Sequence, residues 1–247
     1  KLIDQLFFFF QKINLKKSNF ILVNSKEVIK NSQILNYKSL EEKIFEIPTP
    51  VVFKKTKKNI RKKLFDIIKS FNNKSIFIFY GRLVSYKGVD VLINSLPYIS
   101  KDIRVIIAGE GIKSKYIKLK VKKYENIKFF NKFLTDNEKQ YILKKATAFL
   151  FPSISEAETL GLTQIEAMSQ GCPVINTNLQ TAVPYVSLNN YTGKTVIPND
   201  HQSLANAINK FPNRNSKEWS YYSKNSINRF NQLFSYEAFD KQFNKTI

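Results

Sequence analysis

Short apolar runs alternate with longer amphipathic segments over most of this chain. The runs have the length of buried strands and lie at residues 75–80, 103–108, 127–130, 148–151 and 174–177. Residues 191–198 read as a turn and a strand, with Gly193 in the turn. The segments between these strands repeat apolar positions every three or four residues, which predicts helices at 89–99, 113–124, 136–145, 162–170 and 202–210. Strands that alternate with helices form a parallel sheet covered on both faces, so the pattern predicts a doubly wound α/β domain.

The first 47 residues repeat this alternation as helix, strand, helix and strand. We interpret residues 1–47 as the end of a preceding α/β domain, 48–58 as a linker and 59–247 as the main domain. Pro48 and Pro50 interrupt the pattern and mark the linker. Because the chain opens inside a predicted helix and does not begin with Met, we expect it to be a fragment.

Two further segments complete the prediction. Residues 178–186, which contain Pro184, are predicted to form a loop. Residues 217–245 read as two helices that break near Phe234 and Ser235, and their aromatic residues recur at spacings typical of a core.

The stretch at residues 152–177 has features of an anion site. Gly161 precedes the predicted helix, so the backbone N–H groups of Gly161, Leu162 and Thr163 lack intrahelical acceptors. Such groups, at the positive end of a helix, suit a phosphate. Glu158 and Glu166 lie on either side of this position, and carboxylates accept hydrogen bonds from hydroxyls. A phosphate flanked by hydroxyl-bearing groups describes a nucleotide sugar.

A second loop, at residues 81–88, follows the strand at 75–80 and reads Gly-Arg-Leu-Val-Ser-Tyr-Lys-Gly. It contains two cations, Arg82 and Lys87. An arginine fork and a lysine point charge in one loop suit a diphosphate.

These motifs together resemble the signature of the retaining glycosyltransferases of family 4, which have the GT-B architecture. The matching positions are Glu158-x7-Glu166, then Ala167-Met168 and Gly171-x-Pro173. The segments Gly81-Arg82-Leu83 and Lys87-Gly88, which come earlier in the chain, also match. The turn that begins at Gly109 resembles the Ala-Gly-x-Gly turn of that family. The resemblance covers residues 48–235 closely and residues 1–47 loosely.

The resemblance implies a role for each site residue. Arg82 and Lys87, with Gly81, Gly109 and the N–H groups of Gly161, Leu162 and Thr163, would hold the donor diphosphate. Glu166 would bind the ribose hydroxyls, and Glu158 would hold a hydroxyl of the donor sugar. The catalytic residues would be Glu158, Arg82 and Lys87. The loop at Phe133 would contact the nucleobase, although it lacks the glycine typical of the family.

The implied reaction moves a hexose from a GDP- or UDP-linked donor to an acceptor hydroxyl with retention, without cofactor or metal. The acceptor would be a glycan or a lipid-linked sugar in bacterial surface polysaccharide or glycolipid synthesis. The family also implies that the acceptor half is largely missing, so that this fragment alone is inactive, and that the last helix, residues 236–247, returns toward the preceding domain.

The charge of the chain bears on its partners. Lys and Arg number 40 against 19 acidic residues, a formal net charge of +21. Residues 54–63 contain seven of these cations, and the helix at 113–124 is also basic. This balance fits an anionic membrane, and we expect peripheral association with the cytoplasmic face of the membrane. A solvated surface and the base composition of the genome are competing interpretations of the same lysines.

Two alternative functions stay open. A sugar-nucleotide epimerase shares the GT-B architecture, but it needs a histidine in the site, and His201 lies far from every motif. A basic nucleic-acid-binding module would also carry this charge. We expect no nucleic acid partner, because no aromatic residues interleave the lysines of residues 54–63. The one cysteine, Cys172, fits a reducing compartment and a buried, inert thiol.

Overall fold

The computed structural model describes residues 2–32, 34–35, 38–54, 59–71 and 74–246. The strands are β1 (Ile21–Val23), β2 (Ile44–Glu46), β3 (Ile76–Tyr80), β4 (Arg104–Ala108), β5 (Ile127–Phe130), β6 (Ala148–Leu150), β7 (Val174–Thr177) and β8 (Gly193–Val196). The helices are α1 (Leu2–Lys17), α2 (Lys26–Asn31), α3 (Lys62–Lys69), α4 (Val89–Ser95), α5 (Ser114–Val121), α6 (Asp136–Lys145), α7 (Leu162–Ser169), α8 (Val183–Val186), α9 (His201–Asn209), α10 (Lys217–Leu233) and α11 (Tyr236–Thr246).

The main sheet is parallel and has the strand order β5-β4-β3-β6-β7-β8. From β3 the chain builds outward through β4 to β5, and it then returns to the other side of β3 to build β6, β7 and β8. The order therefore reverses between β3 and β6. In open α/β sheets, ligands bind at the carboxyl ends of the strands beside such a reversal.

Alternating side chains of the strands enter two separate cores, which confirms the doubly wound prediction. Ile78 and Ile106 pack with α3, α6 and α7 on one face. Phe77 and Val105 pack with α4, α5 and α9 on the other. A strand buried on both faces must be apolar at every position, which explains the continuous runs in the sequence.

The small amino-terminal unit consists of β1 and β2, which pair in parallel as a separate two-stranded sheet with α1 and α2 beside them. Its core is limited to a few residues, including Ile21, Val23 and Leu40. None of the helices in the described part of the chain combines the length and apolar character needed to cross a bilayer.

Three local predictions need correction. The predicted loop at 178–186 contains the short helix α8, in which Pro184 occupies the first turn, where its missing N–H is no cost. The helix predicted at 89–99 ends at Ser95 and continues as a 3₁₀ turn, Leu96–Tyr98, that contains Pro97. Gly193 begins β8 instead of preceding it. Residues 55–58 of the basic segment lie outside the described residues.

Candidate functional site

The loops that follow β3 and β6 meet at the carboxyl edge of the sheet. Gly88 adopts a φ of +70°, and a Cβ there would lie 1.7 Å from the carbonyl oxygen of Pro152. The N–H of Ile154 donates to the carbonyl of Tyr86 over 2.9 Å. These contacts fix the two motif-bearing loops against each other at the point where the strand order reverses.

Lys87 and Glu158 form an ion pair across this junction. The hydroxyl of Ser153 also donates to Glu158 Oε2 over 3.1 Å. Glu158 is only 7% exposed. The ammonium group of Lys87 lies 5.5 Å from the centre of the Phe151 ring. Glu158 is therefore held from two sides.

Arg82 lies in the same loop as Lys87, and Tyr86 separates their side chains. The guanidinium group donates to the Tyr86 hydroxyl over 2.6 Å, and the Lys87 ammonium lies 5.3 Å from the centre of the same ring. Within the described residues, Arg82 has no carboxylate partner. Its positive charge is available to an anionic ligand.

Helix α7 begins at Leu162, with Gly161 as its N-cap in the left-handed region at φ +81°. A Cβ on Gly161 would lie 2.5 Å from Cζ of Phe151, so only glycine fits. The N–H groups of Gly161, Leu162 and Thr163 have no acceptor among the residues that the structure describes. The structure thus leaves open the donors that the sequence predicts to be unpaired.

Glu166 lies one turn into α7 and is bound by two side chains that the sequence analysis did not identify. The Tyr80 hydroxyl donates to Glu166 Oε2 over 2.7 Å, and Lys139 Nζ donates to Oε1 over 2.8 Å. Lys139 also lies 3.4 Å from a carboxylate oxygen of Asp136. Burial raises the pKa of Tyr80, and the charge of Glu166 raises it further. The only sequence signal was position, since Tyr80 directly precedes Gly81.

The loop between β5 and α6 is fixed by a buried carboxylate. Glu138 is fully buried and accepts hydrogen bonds from the N–H groups of Arg61 and Thr135 and from the Arg61 guanidinium. Burial alone would raise the pKa of Glu138, but these hydrogen bonds, led by that of Arg61, lower it to about 2. Arg61 also donates to the carbonyl of Phe133 over 2.6 Å. The Phe133 side chain is half exposed.

Hydrogen bonds join the turn after β4 to the loop after β3. Gly81 N–H donates to the carbonyl of Ala108, and Leu83 N–H donates to that of Glu110, over 3.2 and 2.9 Å. Gly109 N–H donates to the carbonyl of Phe130 over 3.1 Å. The predicted site residues therefore lie on neighbouring loops and in the first turns of α7, at one edge of the sheet.

Other candidate groups lie elsewhere. His201 begins α9 and packs against Tyr98, with ring centres 5.6 Å apart. Cys172 is buried, and burial raises the pKa of its thiol. A cavity of about 1030 Å³ lies at the amino ends of β3 and β6, between Phe65, Tyr141 and Arg214. Among the described residues, no cluster of three or more His, Cys, Asp or Glu side chains is placed to hold a metal ion.

Two curated relatives align with about two thirds of this chain. The O-antigen chain mannosyltransferase C of Escherichia coli is 26% identical over 163 residues, 65% of this chain and 43% of its own length. A glycogen synthase of Mycoplasma mobile is 32% identical over 194 residues, 71% of this chain and 39% of its own length. The chain thus spans about two fifths of the length of these relatives.

Solved structures share the fold. HepE of Anabaena, solved in complex with UDP, superposes with a TM-score of 0.76 at 18% identity, over 93% of this chain and 63% of its own. A glycosyltransferase of Rickettsia africae superposes with a TM-score of 0.76 at 19% identity, over 95% of this chain and 65% of its own. Both likenesses establish a Rossmann-like α/β domain of the GT-B kind.

The family model for glycosyl transferases group 1 matches residues 60–229, more than half of the chain. The matched range begins just before Arg61 and includes both motif-bearing loops, α7 and most of α10. The chain therefore belongs to the group 1 glycosyltransferase family.

Proposed function

We propose that this chain forms the donor-binding part of a retaining glycosyltransferase. The enzyme moves a hexose from a GDP- or UDP-linked donor to a hydroxyl of a glycan or lipid-linked acceptor, in the synthesis of bacterial surface polysaccharide or glycolipid. The observation that carries this proposal is the pairing of both motif glutamates with lysines beside the open N–H groups of α7. The mannosyltransferase of O-antigen synthesis and the UDP complex of HepE support the class of donor.

The diphosphate binds between the loop after β3 and the start of α7. Arg82, Lys87 and the N–H groups of Leu162 and Thr163 supply positive charge there. When the bond from the sugar carbon to the β-phosphate oxygen breaks, negative charge develops on the diphosphate, and preorganised donors of this kind stabilise it. These cations supply the charge that a metal would otherwise bring, so the transfer is metal-independent.

The two glutamates bind hydroxyl groups on either side of the diphosphate. Glu166 accepts hydrogen bonds from the ribose hydroxyls, while Tyr80 and Lys139 hold its carboxylate in place. Glu158 accepts a hydrogen bond from a hydroxyl of the donor sugar and stabilises the positive charge that develops on the sugar ring. The loop at Phe133, held by Arg61, forms the wall beside the base.

Calorimetric titration with GDP, UDP, ADP and their common sugar derivatives tests this proposal. We expect one base to bind selectively, and binding to be lost in Arg82→Ala and Glu166→Ala. Glu156→Ala is the matched control, because this exposed acid lies two residues from Glu158 and forms no ion pair with the site residues that the structure describes. If no nucleotide binds to the folded chain or to a protein that also carries an acceptor domain, the proposal fails.

The partners and the location follow from the acceptor. A lipid-linked acceptor lies at the cytoplasmic face of the cell membrane, and the net charge of +21 favours an anionic surface there. We therefore expect a cytoplasmic enzyme that associates peripherally with the membrane and has no nucleic acid partner. The site does not support an epimerase, since His201 lies against Tyr98 and away from Glu158. It does not support a nucleic-acid-binding module either.

A further inference from the structure

Helix α5 and the turn before it expose two large aliphatic side chains. Ile112 is 83% exposed and Leu119 is 67% exposed, although Ile117 and Val121 on the inner side of the same helix are buried. Leu119 lies on the helix, and Ile112 lies in the turn two residues before the helix begins. Exposed apolar side chains that lie together on one surface suit an interaction site.

Lysines surround these two side chains. Lys115, Lys118, Lys122 and Lys123 are exposed and have no carboxylate partner among the described residues. Lys118 and Lys122 also line a groove of about 630 Å³ between α5 and the edge strand β5. Among the residues that the structure describes, the groove is lined by six cations, with Lys128 and Lys132 on the β5 side, and by no acidic residue.

The combination of charge and apolar side chains selects the partner. Lysines alone suit any polyanion, including a nucleic acid duplex. Exposed Ile and Leu side chains gain nothing from phosphates, but they gain from insertion at the boundary between headgroups and acyl chains. Unpaired lysines beside them are attracted to anionic headgroups. We propose that Ile112, Lys115, Lys118, Leu119 and Lys122, hereafter the α5 face, dock on an anionic phospholipid bilayer.

The position of the α5 face gives docking a consequence for the candidate site. Ile112 directly follows Gly111, and the N–H of Lys113 donates to the carbonyl of Leu83 over 3.1 Å. The loop that carries Arg82 is therefore hydrogen-bonded to the turn that begins the α5 face. A docked bilayer lies beside the donor site, where a lipid-linked acceptor is required. This consequence, though not the docking itself, rests on the proposed function.

Vesicle sedimentation with the whole chain tests the proposal. The chain should bind vesicles in which about a third of the lipid is phosphatidylglycerol, and not pure phosphatidylcholine, with binding weakened by salt. Lys115→Gln combined with Lys122→Gln should lower the partition coefficient about 30-fold. Leu119→Ser should lower it about tenfold without a change of charge.

Matched variants separate the α5 face from the general charge of the protein. Lys217→Gln with Lys224→Gln removes two exposed charges from α10, and Ile197→Ser removes an aliphatic side chain that is 64% exposed. Both variants should bind vesicles within about threefold of the unmodified chain. A lysine strengthens membrane binding only when it lies close to the membrane surface, and these residues lie outside the α5 face. Equal losses in the α5 and α10 variants would overturn the proposal, because they would show that only net charge matters.

Two other outcomes would also overturn it. Helix α1 exposes Phe7, Phe9 and Phe10, each more than half exposed, and Phe9→Ser with Phe10→Ser tests whether that helix is the docking surface instead. Loss of binding in this variant alone would assign docking to α1. Binding to duplex DNA that requires Lys115 and Lys122, without binding to vesicles, would assign the lysines to nucleic acid. Calorimetry with nucleotides on the same variants keeps a failure of docking distinct from a failure of the donor site.

Discussion

Lys87 and Glu158 are paired across the two motif-bearing loops although 71 positions separate them in the chain. The cation expected to bind the diphosphate is thus neutralised by the carboxylate expected to bind the sugar. Under the proposed function, we expect donor binding to replace this pair with two new contacts, from Lys87 to phosphate and from Glu158 to a sugar hydroxyl. The pair holds the two side chains against each other across the junction of the loops.

Glu158→Gln should therefore affect binding and transfer in opposite directions. Without the carboxylate, Lys87 is free, and free nucleoside diphosphate should bind up to about tenfold more tightly. Transfer by a protein that carries both domains should fall about 100-fold, because the developing positive charge loses its partner. Calorimetry and turnover assays measure the two effects. Glu156→Gln is the control, and weaker diphosphate binding in Glu158→Gln would contradict the exchange of partners.

Lys139 should act as the counter-charge of the ribose side. Lys139→Met leaves Asp136 and Glu166 without their shared cation beside an anionic ligand, so we expect donor affinity to fall about tenfold or more at low salt and less at high salt. Lys144→Met, on the same helix and exposed, is the control. A double variant with Glu166→Gln should show coupling, since it removes part of the unpaired negative charge. Additive effects would mean that the two residues act independently.

Arg61 should be necessary for stability because it neutralises a fully buried carboxylate. Arg61→Met leaves Glu138 buried without a cation and should lower the free energy of unfolding by about 3–5 kcal/mol. Urea denaturation at neutral pH measures the loss. Lys62→Met changes the neighbouring, exposed cation and should alter stability by less than about 0.5 kcal/mol.

The same carboxylate predicts part of the acid sensitivity. The pKa of Glu138 is lowered from 4.5 to about 2 in the folded chain, so its contribution is present above pH 4.5 and is lost as the pH falls toward 2. The free energy of unfolding should decrease by about 3 kcal/mol over this window through Glu138 alone. Glu138→Gln should show a shallower decrease, whereas the exposed Glu125→Gln should follow the unmodified chain. Parallel curves for all three proteins would exclude this role.

Gly88→Ala should disrupt the junction of the two loops. The added Cβ would collide with the Pro152 carbonyl in a backbone conformation that favours glycine, so we expect a loss of at least about 3 kcal/mol in unfolding free energy. Gly81→Ala is the comparison, because a Cβ there meets no atom within 4 Å. A similar loss in both variants would show that backbone conformation, and not the collision, is the cause.

The sequence predicted the elements whose signals are local. Strands buried on both faces are continuous apolar runs, and Gly161 and Gly171 mark the two ends of α7. The sequence does not predict α8, because Pro184 fits a loop as well as the first turn of a helix, where proline is favoured.

The partners of the site residues were beyond prediction from one sequence. Arg61 and Glu138 are 77 positions apart, and Arg61 lies in a run of cations that resembles a solvated surface. Lys139 is one lysine among many until α6 places it against Glu166. Which cation meets which carboxylate depends on the tertiary fold, and spacing along the chain does not contain that information. The roles of Arg82, Glu158 and Glu166 toward a donor stay predictions.

Two hydrogen bonds on either side of Pro50 anchor the linker, one to the small amino-terminal unit and one to the main domain. Thr49 N–H donates to the Asn24 side chain in the small amino-terminal unit, over 3.1 Å. Two residues later, Val51 N–H donates to the carbonyl of Phe234, at the end of α10, over 3.0 Å. One residue separates the last anchor of the first unit from the first anchor of the second. Pro50 is therefore the backbone pivot that these two anchors leave for a rotation of the small sheet relative to the large one, eleven positions before the Arg61 anchor. Such a rotation must also release the side-chain hydrogen bond between Glu46 and Tyr185.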